Sequence, residues 1–232
     1  MGLEMMRKRY TVTIDGPAGS GKSTAARLLA TRLGIVYLNS GALYRATTFK
    51  ALETSVDPGD GPAVVGMLEG TEIAFSPTPS GMRVLVDGRD VTEDLSSTRV
   101  TQQVYRVADN PMVREAVGRL ARRMVSRESF VAEGRDQGTV VFPEAEVKFY
   151  LDASLGERAR RRHEDLTAAG EKVSLSEVKS ALAERDKRDM TRKVGTLKPA
   201  DDAIYVDNSK MDIEETVELL KKKVVEKVGC CG

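Results

Sequence analysis

The sequence predicts an α/β protein built on a parallel, doubly wound sheet. Five short apolar segments have the composition of buried strands, at residues 10–15, 35–38, 130–133, 147–151 and 204–207. Segments with helical spacing lie between several of them; residues 22–33 are the clearest case and end at Gly34. Strands that alternate with helices favour a parallel sheet. We expect this core to occupy residues 8–50 and 127–229.

Two inserts interrupt the alternation. Residues 55–100 combine Pro and Gly clusters with short β-rich runs, and Asp87-Gly88 between two of these runs is a hairpin signal. We therefore predict a mostly antiparallel subdomain over about 55–110, with helices near 94–108 and 111–126. The second insert, about 165–195, is dense in charge, and we expect it to be mobile.

The composition argues against several protein classes. The 232 residues are 41% hydrophobic and 31% charged, which is ordinary for a globular chain. A formal net charge of +1 argues against a nucleic-acid coat protein. No apolar signal segment or run of 18 apolar residues is present, so we expect neither secretion nor a membrane span. Cys230 and Cys231 are adjacent, which suits neither a structural disulfide nor zinc and favours a reducing, cytoplasmic setting.

A phosphate-binding loop is the strongest motif. GPAGSGKS, residues 16–23, matches G-x-x-x-x-G-K-[ST] after a predicted strand and at the start of a predicted helix. Its glycines let backbone N–H groups surround phosphate oxygens, and the helix N-terminus adds partial positive charge. Lys22 would reach the β- and γ-phosphates, and the Ser23 hydroxyl is placed for Mg²⁺. The competing interpretation is a Gly-rich turn that binds nothing. The nucleotide-binding set we predict is Gly16, Pro17, Ala18, Gly19, Ser20, Gly21, Lys22, Ser23 and Thr24.

Polar residues beside the loop leave alternatives open. Asp15, which precedes the loop, could hold a metal-bound water or cap the end of its strand. The segment NSKMD, residues 208–212, resembles a guanine-reading sequence, but its lysine is displaced by one position, so we interpret it as a loop ending.

Arginines accumulate at the predicted strand ends and in the second insert: Arg45, Arg135, Arg158, Arg162, Arg185, Arg188 and Arg192. A transferase that handles two phosphate compounds needs such residues, because they neutralise charge on donor and acceptor. A single arginine is more often a surface residue. We expect Arg160 and Arg161 to face solvent and His163 to be exposed.

Two polar segments follow strands at the predicted ligand-binding edge. In NSGALYR, residues 39–45, we expect Ser40 to cap the next helix, with Tyr44 and Arg45 one turn inside it. In EGRDQG, residues 133–138, an apolar strand ends in an acid, a glycine, a base and an acid. The residues alone allow a salt-bridged strand end, a metal carboxylate at Asp136 or a ligand-reading site. A second Gly-Arg-Asp, residues 88–90, lies in the predicted hairpin and is assigned no ligand.

The chain resembles bacterial cytidylate kinases over essentially its whole length. The resemblance rests on the phosphate loop and on the further segments SGALYR, VREA, EGRDQG, ERDKRDMTR and LKPADDAIYVD, in this order and spacing. The resemblance implies a P-loop NTPase fold with a five-stranded parallel core, an inserted NMP-binding subdomain and a mobile lid. It also implies transfer of the γ-phosphoryl group of Mg·ATP to CMP or dCMP. We expect a cytoplasmic monomer that binds neither nucleic acid nor membrane.

The resemblance implies a role for each matching residue. Contacts to the acceptor phosphate fall on Ser40, Tyr44, Arg45 and Arg135, cytosine reading on Arg114 and Asp136, and sugar contacts on Arg185 and Asp189. Arg192 resembles a phosphate-binding arginine, and Arg162 lies in the lid region toward ATP. With Lys22, these two arginines form the predicted catalytic set.

Cytosine chemistry supports part of this assignment independently. Its exocyclic amine donates to a carboxylate, while its N3 and O2 accept from an arginine. Uracil would place O4 against the carboxylate, and an unpaired buried acceptor costs about 1–3 kcal/mol. An Asp–Arg pair can therefore distinguish the two bases.

Three positions depart from the family pattern. Asn39 replaces an Asp, Tyr105 replaces a Ser that touches the base, and Thr196 replaces a Pro. The change at Tyr105 affects nucleobase preference rather than the reaction. Two other functions stay open: a kinase for another acceptor such as UMP or shikimate, and a regulatory P-loop protein that uses nucleotide as a switch.

Overall fold

A computed structural model describes residues 9–78 and 81–229. The strands are β1 (Thr11–Asp15), β2 (Val36–Asn39), β3 (Ile73–Thr78), β4 (Gly81–Val86), β5 (Arg89–Asp90), β6 (Phe130–Gly134), β7 (Val147–Asp152) and β8 (Ile204–Asp207). The helices are α1 (Lys22–Leu33), α2 (Ser40–Glu53), α3 (Gly61–Glu69), α4 (Thr98–Ala108), α5 (Pro111–Met124), α6 (Leu155–Ala168), α7 (Leu175–Thr191) and α8 (Ile213–Val228). Cys230 and Cys231 lie outside the described residues.

Five strands form a parallel sheet in the order β2–β6–β1–β7–β8. Each of the five predicted core strands is confirmed within one residue at both ends. On one face of the sheet, Val12 and Ile14 of β1 pack with Leu29 of α1 and Leu220 of α8. The other face is covered mainly by α2 and α5. Because both faces are buried, these strands are almost continuously apolar.

The insert contains the predicted antiparallel sheet, in the order β3–β4–β5. Val86 pairs with Arg89 across a two-residue turn in which Asp87 and Gly88 both have positive φ, 50° and 80°, so the predicted hairpin is confirmed. The helix expected from residue 94 begins later. A short 3₁₀ turn spans Asp94–Ser96, and the Ser97 side chain then accepts from Val100 N to cap α4.

Residues 165–195 contain the end of α6, the turn that follows it, all of α7 and the first residues after α7; the two helices pack together. Val178 and Leu182 of α7 pack with Ala159 of α6 and with Ala18 of the phosphate loop. Ser174 and Glu177 form a capping box at the start of α7. The mobility of this segment and the division into core, insert and lid stay predictions. Within residues 9–78 and 81–229, no helix is long and apolar enough to cross a membrane.

Two expectations about α6 are wrong. Arg161 is half-buried and donates to Asn208 O at 2.8 Å, because α6 packs beside the loop after β8. His163 is also half-buried, and its Nε2 lies 3.0 Å from Val173 O across the turn between the two helices. Arg160 is exposed as predicted and pairs with Glu157 and Glu164.

Candidate active site

The candidate site lies at the carboxyl edge of the parallel sheet. The phosphate loop connects β1 to α1, and β1 lies between β6 and β7. Chains that leave neighbouring parallel strands in opposite directions open a crevice at this edge, where ligands bind in α/β sheets. The topology therefore brings residues 16–23, 39–45 and 133–138 together.

The phosphate loop is held by backbone geometry and by neighbours that contact its carbonyls. A Cβ at Gly16 would collide with the carbonyl of Leu151, so the chain can pass β7 only with glycine there. Asn208 donates through Nδ2 to Ser20 O at 3.0 Å, and Arg158 donates to Ala18 O at 3.0 Å. Asn208 thus supports the loop rather than reading a base, and NSKMD is a loop ending as predicted.

Lys22 is buried inside this loop. Its Nζ donates to Pro17 O at 2.5 Å. Burial lowers the pKa of the ammonium well below its usual value, and the nearby Arg135 lowers it further, while Glu133 raises it. A phosphate placed here would supply the negative charge that this cation lacks.

Glu133 at the end of β6 is a site residue that sequence reasoning missed. The Ser23 hydroxyl donates to Glu133 Oε1 at 3.0 Å. The available signal was an acid at the end of an apolar strand, but the usual pattern has Asp after four apolar residues. A hydroxyl and a carboxylate beside a phosphate loop are oxygen donors of the kind that Mg²⁺ takes together with substrate phosphates. Among the described residues, no group of three or more His, Cys, Asp or Glu side chains is arranged to hold a metal ion, and this mode of binding needs none.

Asp15 caps the end of its strand, which was one of the two alternatives. Its carboxylate accepts from Gln137 N at 2.8 Å and from Gly138 N at 2.7 Å. Burial raises its pKa to about 7, although the two N–H groups act in the opposite direction. Asp15 therefore holds the backbone just after Asp136 against the sheet.

Arg114 and Asp136 form a buried ion pair. Arg114 Nη2 donates to Asp136 Oδ2 at 2.6 Å, and its Nη1 donates to Ala108 O at 2.7 Å. The guanidinium lies over the ring of Tyr44, 5.3 Å from its centroid.

This pair keeps unused hydrogen-bonding capacity. Arg114 Nε is buried without a hydrogen-bond partner among the described residues. Asp136 Oδ1 has only a 3.5 Å contact with Gln137 Nε2. One ion pair therefore contains a buried donor without a partner and an acceptor with a single long contact, which is unusual for buried polar atoms unless a ligand completes them.

Arg135 and Arg192 converge on one carboxylate. Arg135 Nε donates to Asp189 Oδ2 at 2.8 Å, and Arg192 pairs with Asp189 Oδ1. Arg192 Nε also lies 3.6 Å from Asp109 Oδ1 at the end of α4, and this ion pair connects the end of α7 to the insert. Three predicted residues thus meet in one network.

The remaining predicted arginines line the same cleft with fewer protein partners. Arg45 donates to Leu95 O at 2.8 Å and to Thr101 Oγ1 at 2.9 Å, and its pKa is lowered by burial and then by Arg162. Arg162 and Arg185 make no hydrogen bond or ion pair within the described residues. The pKa of Arg185 is lowered. Because its side chain is exposed to solvent, burial contributes little, and the positive charges of Arg135 and Arg45 lower it. These mutual effects indicate a site suited to anions.

The cap of α2 lies at residue 39 and not at residue 40. Asn39 caps α2 by accepting from Ala42 N at 2.9 Å, so the cap predicted at Ser40 is wrong. Ser40 instead donates to Glu133 O at 2.7 Å, because the strand pairing places β2 beside β6.

Two other residues depart from the family pattern: Tyr105, on α4 of the insert, and Thr196, in the segment after α7. Tyr105 is exposed on α4 with Arg188 over its ring at 5.8 Å. Thr196 donates to Arg192 O at 3.2 Å.

Comparison with known proteins identifies the family. The model of the cytidylate kinase family matches residues 12–226. The chain belongs to the cytidylate kinase family.

Individual relatives agree over nearly the full chain. The cytidylate kinase of Geobacillus kaustophilus (strain HTA426) is 43% identical, with 97% of this chain and all of that protein covered. The cytidylate kinase of Carboxydothermus hydrogenoformans (strain ATCC BAA-161 / DSM 6008 / Z-2901) is 44% identical, with 94% of this chain and 96% of that protein covered. Among solved structures, TT1252 from Thermus thermophilus is similar in fold, with a TM-score of 0.51, 19% identity and coverage of 97% and 99%.

Proposed function

We propose that this chain transfers the γ-phosphoryl group of Mg·ATP to CMP or dCMP, giving CDP or dCDP and ADP. This is the reaction expected of the cytidylate kinase family. The observation that carries the acceptor assignment is the buried Arg114–Asp136 pair with its unpartnered Nε donor and weakly bonded Oδ1 acceptor. Cytosine offers N3 as acceptor and N4–H as donor on adjacent positions, which complements such a pair.

The phosphate-handling residues divide between two sides of the cleft. Residues 16–24, with Lys22, would hold the donor phosphates. Ser40, Tyr44, Arg45 and Arg135 would surround the acceptor phosphate, and Arg185 and Asp189 the sugar. Arg162 and Arg192 would stabilise charge on the transferred group. Arg135 and Arg45 both lower the pKa of Arg185, so these three cations lie close together, which supports an anion site on the acceptor side.

Little proton chemistry is needed in this mechanism. An acceptor phosphate oxygen is already anionic, so it can attack the γ-phosphorus in line without a general base. Lys22 and the arginines offset charge on the transferred group, and a closed cleft excludes water that would hydrolyse ATP. The ion pairs of Arg135 and Arg192 with Asp189 hold both cations ready at the acceptor side.

Ser23 and Glu133 would hold Mg²⁺, the Ser23 hydroxyl being the expected ligand. A Mg²⁺ ion held there would supply positive charge beside the donor phosphates. Glu133 also orients Ser23 through their 3.0 Å hydrogen bond.

The proposal includes a monomer in the cytoplasm with no nucleic acid or membrane partner. The ion pairs of the acceptor side form within a single chain, which supports a monomer. Size-exclusion chromatography with light scattering tests this: a mass near 25.3 kDa is expected, and a stable dimer contradicts it.

An acceptor panel tests the function. We would measure ADP formation from Mg·ATP with CMP, dCMP, UMP, AMP, GMP and shikimate. Selective turnover of CMP and dCMP is expected. Equal turnover of UMP would keep the kinase but remove base reading from Asp136. ATP hydrolysis without acceptor dependence would favour a nucleotide switch instead.

A further inference from the structure

Gly195 lies directly against the Arg114–Asp136 pair. It is buried in the segment after α7 and has a left-handed backbone, with φ +67°. A Cβ at this position would lie 2.5 Å from Arg114 Nε and closer still to Arg114 Nη2 and Asp136 Oδ2. Real Cβ atoms do not approach polar atoms so closely, so a side chain here must displace the pair or the loop.

Neither partner has room to yield easily. Arg114 is tied on its far side to Ala108 O at 2.7 Å, and Asp136 is followed by the two backbone groups that Asp15 holds. The Gly195 loop is itself anchored, because Leu197 is buried and its N–H donates to Asp189 O at 2.8 Å. The loop that contains Gly195 therefore contacts both the backbone of Asp189, the proposed sugar-binding residue, and the Arg114–Asp136 pair.

We propose that Gly195 is a specificity-determining positioning residue: the absence of a side chain there lets Arg114 and Asp136 keep the spacing that reads cytosine. This inference rests on the proposed function. The unpartnered Arg114 Nε lies at the point where a Cβ would intrude, so a substitution would disturb the group proposed to meet the base rather than the phosphates.

The test compares Gly195→Ala with Gly170→Ala. Gly170 also has a left-handed backbone, φ +83°, but no atom lies within 4 Å of its Cβ position. Both variants carry the backbone strain of alanine at positive φ, while only the first crowds the pair. KM and kcat for CMP, UMP and ATP would be measured for both, together with the rise in unfolding temperature caused by CMP.

We expect Gly195→Ala to raise KM for CMP about tenfold or more, because sub-ångström displacement of recognition groups is costly. Its CMP-to-UMP ratio of kcat/KM should fall, and CMP should stabilise it less against unfolding. Its KM for ATP should stay within about twofold of the wild-type value. Gly170→Ala should match the wild type in KM for CMP, in the CMP-to-UMP ratio and in stabilisation by CMP.

Several outcomes would overturn the inference. Unchanged CMP binding and base selectivity in Gly195→Ala would do so, as would an equal effect of Gly170→Ala. If Gly195→Ala does not fold, the substitution is repeated in an Arg114→Ala background, where a Cβ meets fewer atoms and should cost much less stability; an equally severe cost there would contradict crowding of the pair. The wild type is assayed first: if it does not use CMP, the proposed function fails, whereas selective wild-type turnover with an unaffected variant defeats only the role of Gly195.

Discussion

The donor and acceptor sides of the cleft are built differently. The donor side is one continuous stretch, residues 16–23, shaped by glycine backbone and a helix N-terminus. The acceptor side joins charged side chains from distant segments: Arg114 on α5, Asp136 after β6 and Asp189 on α7. Arg114 is paired with Asp136, and Asp189 is paired with Arg135 and Arg192. A backbone cradle binds phosphate in any nucleotide, whereas a side-chain network can select a base, so substitutions on the two sides should differ in kind.

Removing Lys22 should have the largest effect. We expect Lys22→Ala to lower kcat with every acceptor by about 10²–10³-fold or more, because a preorganised cation at the transferred group is lost. Steady-state assays with CMP and dCMP measure this. The fold should persist, because Lys22 is buried beside another cation and its pKa is lowered there. Lys223→Ala on α8 is the control. A loss below about tenfold would move the catalytic charge to the arginines.

Asp136→Asn should impair the use of CMP more than the use of ATP. The amide has one acceptor oxygen, which the Arg114 donor would keep, so its NH2 would face the cytosine N4 amine and kcat/KM for CMP should fall about 10- to 100-fold. KM for ATP should hardly change, and the CMP-to-UMP ratio should fall because an amide can donate to uracil O4.

The second Gly-Arg-Asp provides a matched control for this variant. Asp90 is exposed and bonds only within the insert, to Thr92 and Arg83. Asp90→Asn should therefore keep wild-type selectivity. If Asp136→Asn weakened ATP and CMP equally, Asp136 would support the cleft as a whole rather than read the base.

Asp15 connects the two sides, and its substitution should appear as a pH effect on stability. Its folded pKa, about 7, lies above the ordinary 3.8, so the folded state holds a proton that the unfolded state has lost. The contribution of Asp15 is thus fully present below about pH 4 and is lost as the pH rises toward 7. Chemical unfolding at pH 4 to 8 should show this decline in the wild type and not in Asp15→Asn.

Asp15→Asn should also destabilise the fold by about 1–3 kcal/mol, because an amide N–H would face a backbone N–H. Asp207→Asn, at the exposed end of β8, is the control and should keep the decline between pH 4 and 7. An unchanged pH profile in Asp15→Asn would show that Asp15 is ionised throughout this range.

The smallest effect is expected at Tyr105. Its ring contacts Arg188 at 5.8 Å, and a solvent-exposed cation–π contact contributes about 0.5–1 kcal/mol. Tyr105→Leu should therefore raise KM for CMP only a few-fold, whereas Tyr105→Phe keeps the ring and should match the wild type. A large change in base selectivity with Tyr105→Leu would instead make Tyr105 a direct reader of the base.

Much of the architecture could be predicted because its signals are local. Apolar runs marked all five core strands, Asp87-Gly88 marked the hairpin, and residues 16–23 marked the phosphate loop. The errors occurred where a local rule had two eligible residues or a distant partner. Asn39 and Ser40 can both cap a helix, and only the position of β6 beside β2 gives Ser40 another acceptor. The helical spacing predicted that Arg161 faces solvent, but α6 packs beside Asn208, and Arg161 donates to its backbone oxygen.

The sequence by itself determined the donor side, because the shape of the phosphate loop depends on the backbone freedom of consecutive residues. The family motifs also named the acceptor residues, but not their arrangement. Only the tertiary structure paired Arg114 with Asp136, 22 residues apart, and Arg135 with Asp189, 54 residues apart. It also placed Gly195 against the Arg114–Asp136 pair, and Asp15 within hydrogen-bond distance of the Gln137 N–H group that follows Asp136. Such contacts depend on how the chain crosses the sheet, and nothing in the neighbouring residues specifies that crossing.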